Sequence, residues 1–158
     1  MKVCVCSDSH GNAANIDKML VREKPDAVLF LGDGVQDFLE ASLPKGCRLY
    51  SVAGNCDFCC QESGMRVFEL EGVRILMVHG HRQAVKYGLL RLELLAQEQK
   101  ADIALYGHTH RQDACWAGSC LLLCPGSVGS AQCSYAVLEL QAGRFDFSLK
   151  PEGSCSRD

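Results

Sequence analysis

Residues 2–12 read KVCVCSDSHGN. The apolar run from Lys2 to Cys6 is strand-like and stops at Ser7-Asp8, and Asn12 stands where a cap would open the helix-like stretch from Asn12 to Lys24. A strand running straight into a helix is the opening of a layered α/β fold. In an extended segment, residues i and i+2 point the same way, so Asp8 and His10 can face one point beyond the strand.

Outward from this stretch the pattern repeats. Asp26 to Leu31 reads as a buried strand, Val35 to Ala41 as a short helix and Arg48 to Val52 as a third strand. Arg66 to Leu70 and Val73 to Val78, parted by Glu71-Gly72, read as a β-hairpin. From Ala84 to Lys100, Val85, Leu89, Leu92 and Ala96 recur at i, i+4, i+7 and i+11, the stripe of an amphipathic helix. After a strand at Asp102 to Tyr106, short runs at Gln112 to Trp116, Cys120 to Leu123, Tyr135 to Leu140 and Arg144 to Leu149 predict an antiparallel second sheet. The expected fold class is α/β, a two-sheet β-sandwich flanked by helices.

The 158 residues, 47% hydrophobic and 22% charged, suit one globular domain over 1–158, with the polar tail 151–158 frayed. Sixteen Lys and Arg against nineteen Asp and Glu leave a net charge of −3, the wrong sign for gripping long nucleic acid. Apolar runs fall far short of the roughly 20 residues of a membrane span. The eleven cysteines, odd in number and without a secretory leader before them, read as reduced thiols of a cytoplasmic protein. Cys4, Cys6, Cys120 and Cys124 sit in apolar runs and read as core residues.

All five histidines fall directly after expected strands, in Asp8-Ser9-His10, His79-Gly80-His81 and Gly107-His108-Thr109-His110. Two further strand ends carry Gly32-Asp33-Gly34 and Gly54-Asn55-Cys56-Asp57. Alone, each is ordinary turn or capping chemistry. Together they place nitrogen and oxygen donors in the crevice beyond the carboxyl ends of the strands, where α/β sheets form sites. Such donors suit Mn, Fe, Zn, Co or Ni. Cys56 and Cys59 also form a C-x-x-C, but no second one follows to close a four-cysteine site.

The ordered set Asp-x-His, Gly-Asp, Gly-Asn, His, Gly-His-x-His resembles the calcineurin-like metallophosphoesterase superfamily, and most of all its small uncapped bacterial and archaeal phosphodiesterases. The resemblance runs from Met1 to about Ser127. It implies two divalent metal ions, manganese first among iron, zinc, nickel and cobalt. Asp8, His10 and His110 would hold one, Asn55, His79 and His108 the other, and Asp33 would bridge them. It further implies hydrolysis of a small phosphodiester by a metal-bridging hydroxide, with no membrane or long nucleic acid as partner and a homo-oligomer left open. Larger members carry His where Cys56 stands, which favours diesters with good leaving groups. Cys56, Asp57 and His81 are the expected catalytic-site residues around the metals: Asp57 to orient a ligand or Cys56, or else to cap the turn, and His81 as a phosphate contact or donor, or else a surface residue. The alternative is a non-catalytic protein-binding scaffold, since some proteins of this fold, a retromer subunit among them, act mainly as platforms.

Overall fold

Strands that are apolar at every position, and so buried on both faces, dictate a layered architecture. The computed structural model describes residues 1–58 and 60–150; the tail 151–158 and Cys59 of the C-x-x-C lie outside them. In chain order the elements are β1 (Lys2–Cys6), α1 (Ala13–Glu23), β2 (Ala27–Phe30), α2 (Asp37–Glu40), β3 (Arg48–Ser51), β4 (Met65–Leu70), β5 (Val73–Val78), α3 (Leu90–Glu98), β6 (Ile103–Leu105), β7 (Gln112–Ala117), β8 (Cys120–Pro125), β9 (Tyr135–Gln141) and β10 (Arg144–Lys150). They form two five-stranded mixed sheets, β10-β9-β1-β2-β3 and β4-β5-β6-β8-β7.

The period-2 alternation of strands sorts side chains into three apolar layers. Val3, Val5, Leu29, Ile75, Met77, Leu121, Leu123 and Leu138 fill the space between the sheets. Their neighbours Cys4, Cys6, Val28 and Phe30 point outward against Ile16, Met19 and Leu20 of α1. On the other side Leu76, Val78, Leu122 and Cys124 meet Leu92 and Ala96 of α3. Cys4, Cys6 and Cys124 are fully buried; burial pushes the Cys4 thiol up to about 12 and the Cys120 and Cys124 thiols up to about 11. They serve as small core residues. Cys133 is disulfide-bonded, a departure from the all-thiol reading, while Cys47, Cys56, Cys60 and Cys115 are free.

Two expectations are corrected. The C-terminal strands do not build an antiparallel second sheet: β9 joins β1 antiparallel, with Val3 opposite Leu138 and Val5 opposite Ala136, and β6 runs parallel to both β5 and β8. This register puts Ala136 and Leu138 into the same inter-sheet layer as Val3 and Val5, so shared burial decides the pairing. The helix expected from Ala84 begins only at Leu90, because Ala84 (φ +54°) and Gly88 (φ +145°) leave the helical region. Val85 is nonetheless buried in the layer beneath α3. The Asn12 cap is present, its side chain accepting from the Asn15 N–H at 3.3 Å. No helix among the described residues is long and apolar enough to cross a membrane.

α1 is tied to the sheet by a buried polar contact. The Tyr135 hydroxyl donates to Glu23 Oε1 at 2.7 Å, and Lys2 Nζ lies 2.6 Å from Glu23 Oε2. Burial pushes the Glu23 carboxyl up, but the Lys2 and Tyr135 contacts outweigh it and hold the group below its ordinary value. A carboxyl lowered in the folded state contributes stability above the unfolded pKa, about 4.3, and loses it as pH falls through the folded value. Tyr135→Phe should therefore cost about 1.5 kcal/mol at pH 7, the value of a hydrogen bond to a charged group, and less below pH of about 4. Urea unfolding at the two pH values checks this; equal losses at both would show that ionised Glu23 is not the partner.

Candidate metal centre

β1, β2 and β3 run parallel, as do β5 and β6, so their carboxyl ends open at one edge of the sandwich. Every loop singled out in the sequence leaves from one of these ends. Asp8, His10, Asp33, His108 and His110 all have positive φ, from 44° to 67°. Residues other than glycine adopt this region at a cost, and such strain gathers at functional sites. The loops hold one another: the Asp8 N–H donates to the Gly32 carbonyl at 2.9 Å, the His10 N–H to the Asp33 carbonyl at 3.2 Å and the Gly107 N–H to the His79 carbonyl at 2.9 Å. Gly107 is required here, since a Cβ would lie 2.0 Å from Ser7 Oγ and 2.9 Å from Asp8 Oδ2.

Two groups of three donors result, each with its ligand atoms within 4.8 Å of one another: Asp8, His10 and His110, and Asp33, His79 and His108. In the first, His10 Nε2 and His110 Nε2 are 3.3 Å apart. Asp8 Oδ1 is 3.0 Å from His110 Nε2 and 3.7 Å from His10 Nε2. Yet this buried oxygen has no hydrogen bond, while Oδ2 accepts from Ser7 Oγ and from the His108 N–H at 3.1 Å. A buried carboxylate oxygen left unbonded among imidazole nitrogens is costly unless a cation sits between them. The donor set therefore fits a metal.

In the second group His79 is oriented from across the sandwich. Its Nδ1 lies 2.7 Å from the Leu31 carbonyl, and a carbonyl only accepts, so Nδ1 carries the proton and Nε2 offers its lone pair. Nε2 faces Asp33 Oδ2 at 3.3 Å and His108 Nδ1 at 3.2 Å. Burial lowers the His79 pKa, but Asp33 and Asp8 raise it more. Burial likewise raises Asp33, but the contact with His79 and the Cys56 N–H, 2.8 Å from Oδ1, hold that carboxyl well below its usual range. Burial and the neighbouring His79 lower His108.

The other expected residues are placed differently. Asn55 is exposed on the turn after β3, with Nδ2 3.4 Å from Cys56 Sγ. Cys56 is exposed, and its thiol is raised by burial and by the charges of Asp33, Asp57 and Asp8. Its sulfur lies within 4.8 Å of ligand atoms of both His10 and Asp33. Asp57, expected to orient a neighbour or to cap the turn, has both oxygens engaged by backbone. Oδ2 accepts from the N–H groups of Asp33 (2.7 Å) and Gly54 (2.8 Å), and Oδ1 from those of Gly34 (2.8 Å) and Val35 (2.9 Å). With no oxygen left for a proton in transit, it clamps the loop after β2 to the loop after β3. The His81 ring lies tilted beside that of His79, centroids 5.4 Å apart, and its Nδ1 is buried without a hydrogen-bond partner. Burial, His79 and Arg82 lower its pKa.

Sequence reasoning missed the support beneath Asp8. Ser127 Oγ donates to the Asp8 carbonyl at 2.8 Å, the Gly129 N–H donates to the same carbonyl at 3.1 Å and the Val128 N–H to the Ser7 carbonyl at 3.0 Å. A Cβ on Gly129 would come within 2.1 Å of the Ser9 carbonyl oxygen. The small-residue run Gly126-Ser127-Val128-Gly129-Ser130 was the available signal. A cleft of about 210 Å³ opens beside the cluster, lined by His10, Asp33, Gln36, Cys56 and Phe58. A larger hollow of about 490 Å³, at the amino end of β1 between Lys2, Arg144 and Phe145, has no comparable convergence of donors, so size is a poor guide to the chemistry.

Two mixed sheets with a strand-end cluster of carboxylates and imidazoles make a candidate metal centre. Residues 1–143 match the calcineurin-like phosphoesterase superfamily domain, and the chain belongs to that family. It is 30% identical over 145 residues to a Bacillus subtilis protein named probable metallophosphoesterase YsnB, covering 89% of this chain and 85% of the relative. It is 27% identical to the Escherichia coli phosphodiesterase YfcE, covering 88% of each. The fold is shared with Entamoeba histolytica Vps29 solved in complex with zinc, at a TM-score of 0.74 and 20% identity over 96% of this chain and 99% of that one.

Proposed function

We propose that this chain is a dinuclear phosphodiesterase acting on small diesters. Asp8, His10 and His110 hold one divalent cation, His79 and His108 hold the other with the Asn55 amide oxygen, and Asp33 lies between them. The observation that carries the reading is the unbonded, buried Asp8 Oδ1 facing imidazole nitrogens. When bound, such a pair of cations draws in a phosphate, polarises its oxygens and makes water nucleophilic near neutral pH.

The protein's own residues do the rest. Asp8 and Asp33 offset part of the cationic charge and leave a positive surplus for an anionic ester. His79, its Nδ1 proton fixed on Leu31, presents Nε2 without reorientation. His81 supplies an imidazole nitrogen for a phosphate oxygen. Asp57 is a positioning residue, holding the Asp33 and Gly54 backbones together. Cys56 stands where a leaving-group acid would be required, and an ordinary thiol, with a pKa near 8.5, is a poor one. Diesters with good leaving groups are therefore favoured over monoesters, in keeping with the phosphodiesterase name of the Escherichia coli relative.

The test is hydrolysis of bis(p-nitrophenyl) phosphate by metal-stripped protein given Mn, Fe, Zn, Co, Ni or Mg in turn. Turnover restored by a transition metal, with p-nitrophenyl phosphate cleaved more slowly, is the expected result. Tight binding of metal without turnover on either ester would move the reading to a non-catalytic protein-binding scaffold that keeps the fold.

A further inference from the structure

On the open side of the cluster three donors of different chemistry meet. The His10 imidazole, an Asp33 carboxylate oxygen and the Cys56 thiol all lie within 4.8 Å of one another, a third group beside the two described above. The sulfur is held in place there. The Cys56 N–H donates to Asp33 Oδ1 at 2.8 Å, and the Asn55 side-chain N–H is directed at Cys56 Sγ at 3.4 Å. Cys56 is exposed to the cleft that His10, Asp33 and Phe58 line, so a cation arriving from solvent meets the sulfur directly.

We propose that Cys56 is a metal donor: its thiolate binds the cation held by His10 and Asp33, and selects a thiophilic divalent metal of the zinc, cobalt(II) and iron(II) type over magnesium and manganese. This rests on the metal-centre reading given above and deepens it. On binding, the S–H bond breaks, a sulfur–metal bond forms and the proton passes to solvent, with no change of oxidation state. Soft thiolate is the one donor in the cluster that separates these metals, since imidazole and carboxylate accept all of them. A sulfur bound to metal has no proton for a leaving group, which agrees with the preference for activated diesters.

Cobalt(II) titrated into the reduced, metal-stripped chain tests this without any assay of turnover. The expected spectrum has visible d–d bands together with a near-ultraviolet sulfur-to-cobalt charge-transfer band. The charge-transfer band disappears in Cys56→Ser, which keeps the d–d bands, and persists in Cys60→Ser, the control for the other thiol in the same cleft. Zinc should also slow alkylation of Cys56 by iodoacetamide about tenfold or more while leaving Cys47 unaffected, because a coordinated sulfur is shielded. Visible bands without charge transfer, or charge transfer that survives Cys56→Ser, would overturn the thiolate assignment and leave the metal centre standing. Absence of any cobalt binding would overturn the metal centre itself, and this inference with it.

Discussion

Asp33→Ala should lose more than about 100-fold in turnover on bis(p-nitrophenyl) phosphate, since even outer partners of metal ligands are worth 10–100-fold. The expectation follows from position. Asp33 belongs to two of the three donor groups, with Oδ2 3.3 Å from His79 Nε2 and Oδ1 fixed by the Cys56 N–H. Its backbone is held at φ +61°. Metal content after dialysis should fall together with activity, and the variant should remain folded, because what is removed is a carboxylate rather than a packing residue. Adding excess metal should not restore turnover. Retention of both bound ions and wild-type rate would show that Asp33 does not lie between the cations.

The second large effect is expected at Asp57, by a different route. One carboxylate accepts four backbone N–H groups, from Asp33, Gly34, Val35 and Gly54. Asp57→Asn replaces one oxygen by an NH₂ that faces donors, so at least two N–H groups are left without a partner and the charge is gone. With hydrogen bonds to charged groups at about 1.5–3 kcal/mol each, the variant should lose about 3 kcal/mol or more of stability, read as a lowered urea midpoint. Metal affinity should fall as well, since the Asp33 loop loses its anchor to the Gly54 turn. Here excess metal should recover much of the turnover, because all the ligands remain. That recovery separates Asp57 from Asp33: a positioning residue weakens the site, whereas a ligand defines it. A variant of unchanged stability but no activity would return Asp57 to direct catalysis.

Much of the site was legible in the sequence because strand ends are local features. Short apolar runs mark β1, β2, β3, β5 and β6, and Asp8, Asp33, Asn55, His79 and His108 each follow one of them within a few residues. The strand-then-helix opening at Lys2 to Asn12 likewise contains its own cap, Asn12, and needs no distant partner. Periodicity overreached where one backbone position broke it, as Ala84 and Gly88 do before α3.

What the tertiary structure alone decided lies at long separations. The register of β9 on β1 joins residues about 135 apart, such as Val3 and Leu138, and follows from which faces share the inter-sheet layer. Local pattern carries no record of that choice. Asp8 meets the His108 N–H across 100 residues and the Ser127 hydroxyl across 119, so the support under the ligands is invisible in any single motif. Asp57 reads in the sequence as an orienting residue or a turn cap after Gly-Asn, and the N–H groups it gathers from the loop after β2 come to it only through the fold. Cys56, likewise, stands out in the sequence only as the residue after Gly-Asn, where larger members carry His. Its place beside His10 and Asp33 depends on three separate strand ends closing at one edge, and that closure is driven by burial of the apolar faces behind them.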